Sequence, residues 1–343
     1  VKVLVIKIAA SGDFLMATPA LRALKLADKV TSVNLLAGRS LHAVAQGNPH
    51  LDQIFYLNDR RIFHGGFLGK TAEAVKISRR LRREKFDLGF NFQRHGRFKV
   101  ILLLAGGKRR LGFARRRRSL FLTDTVRIEG VKHHVFHYCD LLKRLGIFCL
   151  DFKLEFPLSE SDLVAAAEKF LKSENLGKYV VLATGGAAHV NEEMESRRWP
   201  SENFAALAGM LVQDGQRVFL LGSKRDVQIA ASIKAAHPDV VDLTGRTTLA
   251  EAAALMKKAR LVVCNDSGLM HLAAAVGARI IAIFGPTNPG ERKPLSAGNV
   301  AVWKGENMEC SPCYQDGVSL SCDHLSCLKK ITPQEIFELA KSF

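Results

Sequence analysis

Short β-rich apolar runs alternate with stretches of helical periodicity along most of the chain. The first run, Val3–Ile8, stops at Ser11-Gly12-Asp13, and a helical pattern then extends from Phe14 to Leu26. Strand signals return at Ser32–Leu36, Gln53–Tyr56 and Asp87–Phe90, with a helix over Thr71–Arg83. The amphipathic stretch His134–Leu145 closes this half, with Gly146 as its stop. After the segment Asp151–Ser161 (DFKLEFPLSES) the alternation restarts: helices at Asp162–Ser173, Glu202–Gln213, Arg225–Ala236, Leu249–Lys257 and Gly268–Val276 alternate with strands at Tyr179–Ala183, Arg217–Leu221, Val240–Asp242, Leu261–Cys264 and Arg279–Phe284. Such alternation predicts parallel sheets covered by helices on both faces. The fold class is therefore α/β, with two tandem doubly wound Rossmann-like domains over residues 1–155 and 156–332. A final helix, Pro333–Lys341, has no strand after it and is expected to pack back across the first domain, as a separate element over 333–343. No fixed-period repeat is present.

A length of 343 residues suits two domains of roughly 150 residues each. The apolar fraction of 48% is enough for two cores, and no low-complexity tract argues for disorder. No window approaches the roughly 18 uninterrupted apolar residues of a membrane span; Val100–Ala105 and Ile280–Phe284 read as core segments. The opening twenty residues are interrupted by Lys7 and Asp13 and run into a helix without a cleavage site, so they are not expected to be a signal peptide. A cytoplasmic protein is the expectation.

Charge divides the halves. Val1–Glu155 holds 30 Lys/Arg against 12 Asp/Glu, a net +18, whereas the remainder holds 20 against 21. A polyanionic partner is therefore expected for the first half only. Lys76–Lys85 contributes six basic residues and Lys108–Arg118 seven. The first run reads first as a solvated helix face, with a contact for an anionic membrane or an RNA-attracting patch as the alternatives. The second, with Arg115, Arg116, Arg117 and Arg118, reads as an acceptor or membrane contact.

In an open parallel sheet, ligands bind beyond the carboxyl ends of strands, where helix N-termini collect. Ser11-Gly12-Asp13 sits at such an end but carries one glycine, so it is not the dinucleotide fingerprint. Asp13 either caps the helix or acts as a general base at a cleft edge. Asn265-Asp266-Ser267-Gly268 offers a hydroxyl and N–H groups to a diphosphate, aided by the helix dipole, and His271 shares the face of Ser267; the alternative is a cap plus a core histidine. Thr184-Gly185-Gly186 is a third turn at the same sheet edge. Arg197 and Arg198 suit bidentate phosphate contacts or are solvated surface residues. Asp226 either accepts ribose hydroxyls or caps a helix.

Together these residues carry a resemblance. "VKVLVIKIAASGDFLMATPALRALK" and "CNDSGLMHLAAAVGARIIAIFGPTNP" are similar to the two signature regions of the ADP-heptose:lipopolysaccharide heptosyltransferases, glycosyltransferase family 9. "RRWPSENFAALAGML", "LLGSKRD" and "DLTGRTTLAEAAALMKKA" match the same family in order and spacing. The similarity spans nearly the whole chain and is weakest between about Asp59 and Val131. It implies a GT-B fold, two Rossmann-like domains facing across a cleft, with acceptor on the first and ADP-sugar on the second. It also implies an inverting, metal-independent transfer with no required cofactor. By this resemblance Asp13 takes the place of the general base, and Lys7, Ser11 and Gly12 lie on the acceptor side. Arg197 stands at a basic position that is often lysine in the family. Asp266, Ser267, Gly268 and His271 fall on the nucleotide-diphosphate motif, and Asp226 falls near the ribose position. The partners implied are an ADP-heptose-like donor and a lipid A–Kdo type lipopolysaccharide precursor, met peripherally at the cytoplasmic face of the inner membrane. The connection Asp151–Ser161 is then expected to act as a hinge.

Seven cysteines in a chain read as cytoplasmic do not suggest a disulfide framework. Cys310, Cys313, Cys322 and Cys327, with His324 nearby, read as free packed thiols, a local disulfide or a structural zinc site. His133, His134 and His137 are expected at the surface. Competing functions are a basic nucleic-acid-binding protein, which lacks interleaved stacking aromatics, and a nicotinamide oxidoreductase, which lacks G-x-G-x-x-G after any strand. A GT-B enzyme using a different nucleotide-sugar or acceptor is the nearest alternative.

Overall fold

The computed structural model describes residues 1–93, 96–114, 119–171, 179–186, 194–315, 318–319, 322 and 324–343. These divide into two compact units, Val1–Pro157 and Leu158–Phe343.

The first unit is built on β1 (Lys2–Ile6), β2 (Ser32–Gly38), β3 (Gln53–Leu57), β4 (Leu88–Asn91), β5 (Arg109–Phe113) and β6 (Asp124–Val126). They pair in the order β3-β2-β1-β4-β5-β6, every pairing parallel. Helices α1 (Ser11–Lys25), α2 (Phe67–Arg83), α3 (Arg97–Leu104) and α4 (His134–Lys143) pack around this sheet. Val3, Leu4, Val5 and Ile6 are all fully buried because both faces are covered, which is why β1 reads as an unbroken apolar run. On one face Leu4, Ile6, Phe55 and Leu57 meet Ile77 and Leu81 of α2 and Phe98 and Ile101 of α3. α4 packs instead against α1.

The second unit repeats this plan. Its strands are β7 (Tyr179–Ala183), β8 (Arg217–Leu221), β9 (Val241–Asp242), β10 (Leu261–Asn265), β11 (Ile280–Phe284) and β12 (Val300–Trp303). The order is β12-β11-β10-β7-β8-β9, again all parallel. Counted within each unit, the two strand orders are the same. The helices here are α5 (Glu160–Phe170), α6 (Ser201–Gln213), α7 (Val227–Ala236), α8 (Leu249–Lys258), α9 (Gly268–Ala275) and α10 (Pro333–Lys341). Ser159 with Asp162 and Thr248 with Glu251 form capping boxes that start α5 and α8. Thr332 caps α10, with Pro333 at its first position.

Three expectations are corrected. The final helix belongs to the second unit: Ile336 and Ala340 of α10 enter the core cluster that holds Trp199, Phe204 and Ile283, and the Trp199 indole N–H donates to the Ile331 carbonyl at 2.9 Å. Strands β5, β6 and β12 were not legible as strands, because β5 opens on two arginines and β6 and β12 are short edge strands. Cys139 on α4 is joined by a disulfide to Cys149, contrary to the expectation that no disulfide framework is present. Among the described residues no helix is long and apolar enough to cross a membrane.

Candidate active site

Each sheet reverses its strand order once, between β1 and β4 in the first unit and between β7 and β10 in the second. The carboxyl ends of strands at such a point leave a crevice lined by backbone N–H groups. Lys7, Ser11, Gly12 and Asp13 lie at the first of these places, and Thr184, Gly185, Asp266, Ser267 and Gly268 at the second.

In the first unit, α1 begins at Ser11, three residues before the helical periodicity becomes visible. Ser11, Gly12 and Asp13 are therefore its first turn rather than a loop. The N-cap is Ala10, which makes no side-chain cap, so Asp13 is not the helix cap. Ala10 has φ 69°, a left-handed conformation uncommon for a residue with a Cβ and one that clusters at functional turns. With its amide oxygen turned toward the chain, Gln93 accepts from the N–H groups of Ile8 and Ala9 at 3.1 Å each and pins the turn. Lys7 is almost fully buried, which requires a counter-charge. Asp13 supplies it, with its Oδ2 at 3.0 Å from the Lys7 ammonium. On the other side, Nδ1 of His134 lies 3.9 Å from Asp13 Oδ1. Asp13 remains about one-third exposed at 32% and so is open to a ligand.

The histidines correct the expectation of surface positions. His133 and His137 are buried, His133 accepting from the Val135 N–H as the cap of α4, and His137 packing against Phe113. His134 joins the Asp13 site only through the packing of α4 on α1, a long-range contact that no local motif announces. Arg115, Arg116, Arg117 and Arg118 lie outside the described residues.

In the second unit, Asn265 at the end of β10 organises the site. Its amide donates to the carbonyls of Thr184 and Gly185 at 3.0 and 3.1 Å, and its Oδ1 accepts from the Trp199 N–H at 3.0 Å. It thereby ties the turn after β7 to the short 3-10 turn Glu195–Arg197 and the Arg198 that follows it. Both arginines are directed inward rather than solvated. Arg197 is buried, its Nε 3.9 Å from Asp266 Oδ2 and its guanidinium 4.7 Å from the centre of the Tyr314 ring. Arg198 donates to Asp226 Oδ1 at 2.8 Å. The other oxygen of Asp226 accepts from the Ser223 N–H and hydroxyl at 2.8 and 2.7 Å in a capping box. Both oxygens of Asp226 thus hold protein groups, and its place in this structure is to fix Arg198 and the turn beside it.

Asp266 is buried and accepts from the Thr287 hydroxyl at 2.7 Å. Burial alone would raise its pKa. Arg197 and Arg292, the Thr287 hydrogen bond and His271 outweigh that, so the carboxyl is held below the usual aspartate value. Thr287, Arg292 and Tyr314 carry no site signal in the sequence, and Asn265 enters there only as the first residue of its loop, without a role of its own. Asn265 alone had a local signal, its place at a strand end.

What the site leaves unsatisfied indicates a ligand. The hydroxyls of Thr184, Ser267 and Thr244, and Nε and Nη2 of Arg197, are buried without a hydrogen-bond partner among the described residues. Buried polar atoms are otherwise paired in the great majority of cases. Ser267 is the N-cap residue of α9, yet its side chain makes no capping bond. An added Cβ at Gly268 would meet nothing within 4 Å, so the first turn of α9 opens onto space. A cation, unpaired hydroxyls and a helix N-terminus at one strand edge fit an anionic group such as a phosphate.

The glycines of the turn are required by close approach. A Cβ at Gly185 would lie 2.5 Å from Asp226 Oδ2, and one at Gly186 would lie 2.8 Å from the Ser267 Cβ. Gly186 also has φ 139°, which side chains rarely adopt. Gly186→Ala is expected to cost about 1–3 kcal/mol and lower the melting temperature by on the order of 5 °C. Gly268→Ala should leave it within about 2 °C. Melting curves of the two variants check this, and equal curves would contradict the packing described.

Cys310, Cys313, Cys322 and Cys327 are free thiols, from exposed at Cys310 to buried at Cys327. Burial, with Cys313 and Cys322 nearby, pushes the Cys327 thiol up to about 11, so it stays protonated near neutrality. Among the described residues no group of histidines, cysteines and carboxylates is arranged to hold a metal ion. A cavity of about 920 Å³ opens at the amino ends of β1, β4 and β5, lined by Leu26, Leu88, Ile147 and Phe148 among others. It lies at the opposite edge of the sheet from Asp13.

The family model described as glycosyltransferase family 9 (heptosyltransferase) matches residues 74–324. The lipopolysaccharide heptosyltransferase 2 of Escherichia coli strain K12 is 27% identical over 304 residues, covering 86% of each chain. The lipooligosaccharide heptosyltransferase 2 of Haemophilus influenzae is 44% identical over 106 residues, a match spanning 29% of this chain and 31% of that protein. The structure of E. coli heptosyltransferase WaaC with ADP superposes with a TM-score of 0.75 at 21% identity, covering 100% of this chain and 99% of that one, which places the fold among the GT-B heptosyltransferases. A matched family model over most of the chain, and the same doubly wound pair of units, lead to one conclusion: the chain belongs to glycosyltransferase family 9, the heptosyltransferases, and is a glycosyltransferase.

Proposed function

We propose that the protein transfers a heptose from an ADP-heptose-type donor to a hydroxyl of the lipopolysaccharide inner core, with inversion at the anomeric carbon. The observation that carries the donor side is the set of buried, unpartnered polar atoms at Thr184, Ser267 and Arg197, beside the open N-terminus of α9. A diphosphate would complete all of them, and the E. coli WaaC structure is one solved with ADP.

In this reading Asp13 accepts the proton of the acceptor hydroxyl as that oxygen bonds to the anomeric carbon. The bond from that carbon to the donor phosphate breaks on the opposite face. Negative charge growing on the departing phosphate is met by Arg197 and the α9 N-terminus, so the chemistry calls for no metal ion or cofactor. Lys7 holds the Asp13 carboxylate in place through its 3.0 Å contact, and Asp266 does the same for Arg197 from a greater distance. Arg198 and Asp226 shape the adjoining wall. The acceptor is a lipid A–Kdo type precursor, a phosphate-bearing and acidic molecule that suits a half of net charge +18. Its lipid anchor would bring the enzyme to the cytoplasmic face of the inner membrane.

Thermal-shift measurements with ADP, UDP, GDP and NAD test the donor class. ADP at about 100 times its Kd should stabilise the protein by about 2.7 kcal/mol, and the other three should do so weakly. Stabilisation by UDP or GDP in place of ADP would change the donor, and silence from all four would remove the donor site.

A further inference from the structure

The outer face of α2 takes no part in the site just described. The topology runs α2 from the carboxyl edge of the sheet, where Asp13 lies, toward the amino edge, where β4 begins. Its inward side is settled by Ile77, Ser78 and Leu81, which are buried. Its outward side is divided lengthwise. The first half presents apolar side chains to solvent, with Phe67 82% and Leu68 83% exposed and Val75 37%. The second half presents Lys76, Arg79, Arg82 and Arg83, all exposed. None of these four cations has a carboxylate partner among the described residues. The two acids in this stretch are used elsewhere, Glu73 accepting from the Asn58 N–H at 2.8 Å and Glu84 pairing with Lys2 at 2.7 Å. Beside it on the same face of the sheet, α3 adds exposed Val100 and Leu104.

Two large apolar side chains more than four-fifths exposed at a helix start are costly in water. The cations that follow would repel one another without a counter-surface. We infer that this face of α2 is a docking surface for an anionic lipid bilayer, with Phe67 and Leu68 entering the acyl boundary and Lys76, Arg79, Arg82 and Arg83 lying against acidic headgroups. A folded protein partner would be expected to meet a more continuous apolar patch. RNA would call for aromatic platforms among the cations, and between Lys76 and Lys85 there is none. The inference deepens the proposed acceptor reading, because it names the surface by which the enzyme meets the membrane that carries its substrate.

Co-sedimentation of the full chain with phosphatidylcholine vesicles, with and without phosphatidylglycerol, tests it. Binding should require the anionic lipid and disappear at high salt. Arg79→Glu with Arg83→Glu should weaken it at least about thirtyfold, since each cation near such a surface contributes about 1 kcal/mol. Phe67→Asp with Leu68→Asp should weaken it at least about tenfold. Both pairs are exposed, so an unchanged melting temperature and ADP shift will show intact folding. Failure of the parent chain to bind anionic vesicles overturns the inference. So does equal binding by parent and variants, or tight binding to a homopolymeric RNA with none to vesicles. Because no turnover is measured, lost vesicle binding in the variants together with no response to ADP would leave the surface standing and sink the transfer reading alone.

Discussion

Asp13→Ala is expected to lower the turnover of heptose transfer by about 10²–10⁴-fold, the usual contribution of a positioned general base, while ADP-induced stabilisation is unchanged. The separation follows from the fold: Asp13 stands in the first unit with Lys7 and His134, and every group assigned to the donor lies in the second. A complication follows from Lys7, which is buried and whose ammonium is held by Asp13. Removing the carboxylate strands that charge, and breaking such pairs costs up to about 3–5 kcal/mol. Asp13→Asn is therefore the better probe, because its amide oxygen still accepts from Lys7 but the side chain cannot take a proton. Both variants should lose turnover alike, and asparagine should keep more stability. Steady-state rates at saturating donor and acceptor decide the matter, and an asparagine variant within about twofold of the parent removes Asp13 from the chemistry.

The second large effect is structural. Asp266 is the buried anion among Arg197, Arg292, Thr287 and His271. Asp266→Ala leaves the cations without their counter-charge and should destabilise the second unit by about 3–5 kcal/mol, lowering its melting temperature by on the order of 10 °C. ADP binding should weaken with it, because Arg197 loses the group that orients it. The pH dependence has a definite sign. The folded-state pKa of Asp266 is depressed, so its stabilisation is fully present above the unfolded value of about 4 and is lost as pH falls through the lower folded value. Acid unfolding should therefore be shallower in the variant than in the parent. Melting curves from neutral pH down to about pH 3 test this, and a variant that melts within about 2 °C of the parent throughout would show that Asp266 does not stabilise the unit.

Much of this was visible in the sequence for one physical reason. Strands buried on both faces, such as β1, β7, β10 and β11, must be apolar throughout, and the helices between them must be amphipathic, so alternation betrays a parallel sheet. Strands β5 and β6 escaped because Arg109, Arg110 and Asp124 reach solvent at the sheet margin and break the apolar run. The position of Lys7, Asp13, Ser267 and Gly268 at strand ends was legible because strand-end turns concentrate unpaired backbone groups, a local property. His134 beside Asp13, Tyr314 beneath Arg197 and Thr287 on Asp266 depend on elements distant in the chain. The destination of α10 was misjudged for the same reason: amphipathicity says that a helix has a face to bury, and only the site of the complementary apolar surface, here around Trp199 and Phe204, says where.

Both halves share one strand order, and the contacts described around Asp13 lie within the first unit and those around Asp266 within the second. Such a molecule can be inherited in pieces. A lineage can remodel one half while the other is passed on intact, and a recombination seam at Pro157 would cut none of the hydrogen bonds described around Asp13 or Asp266.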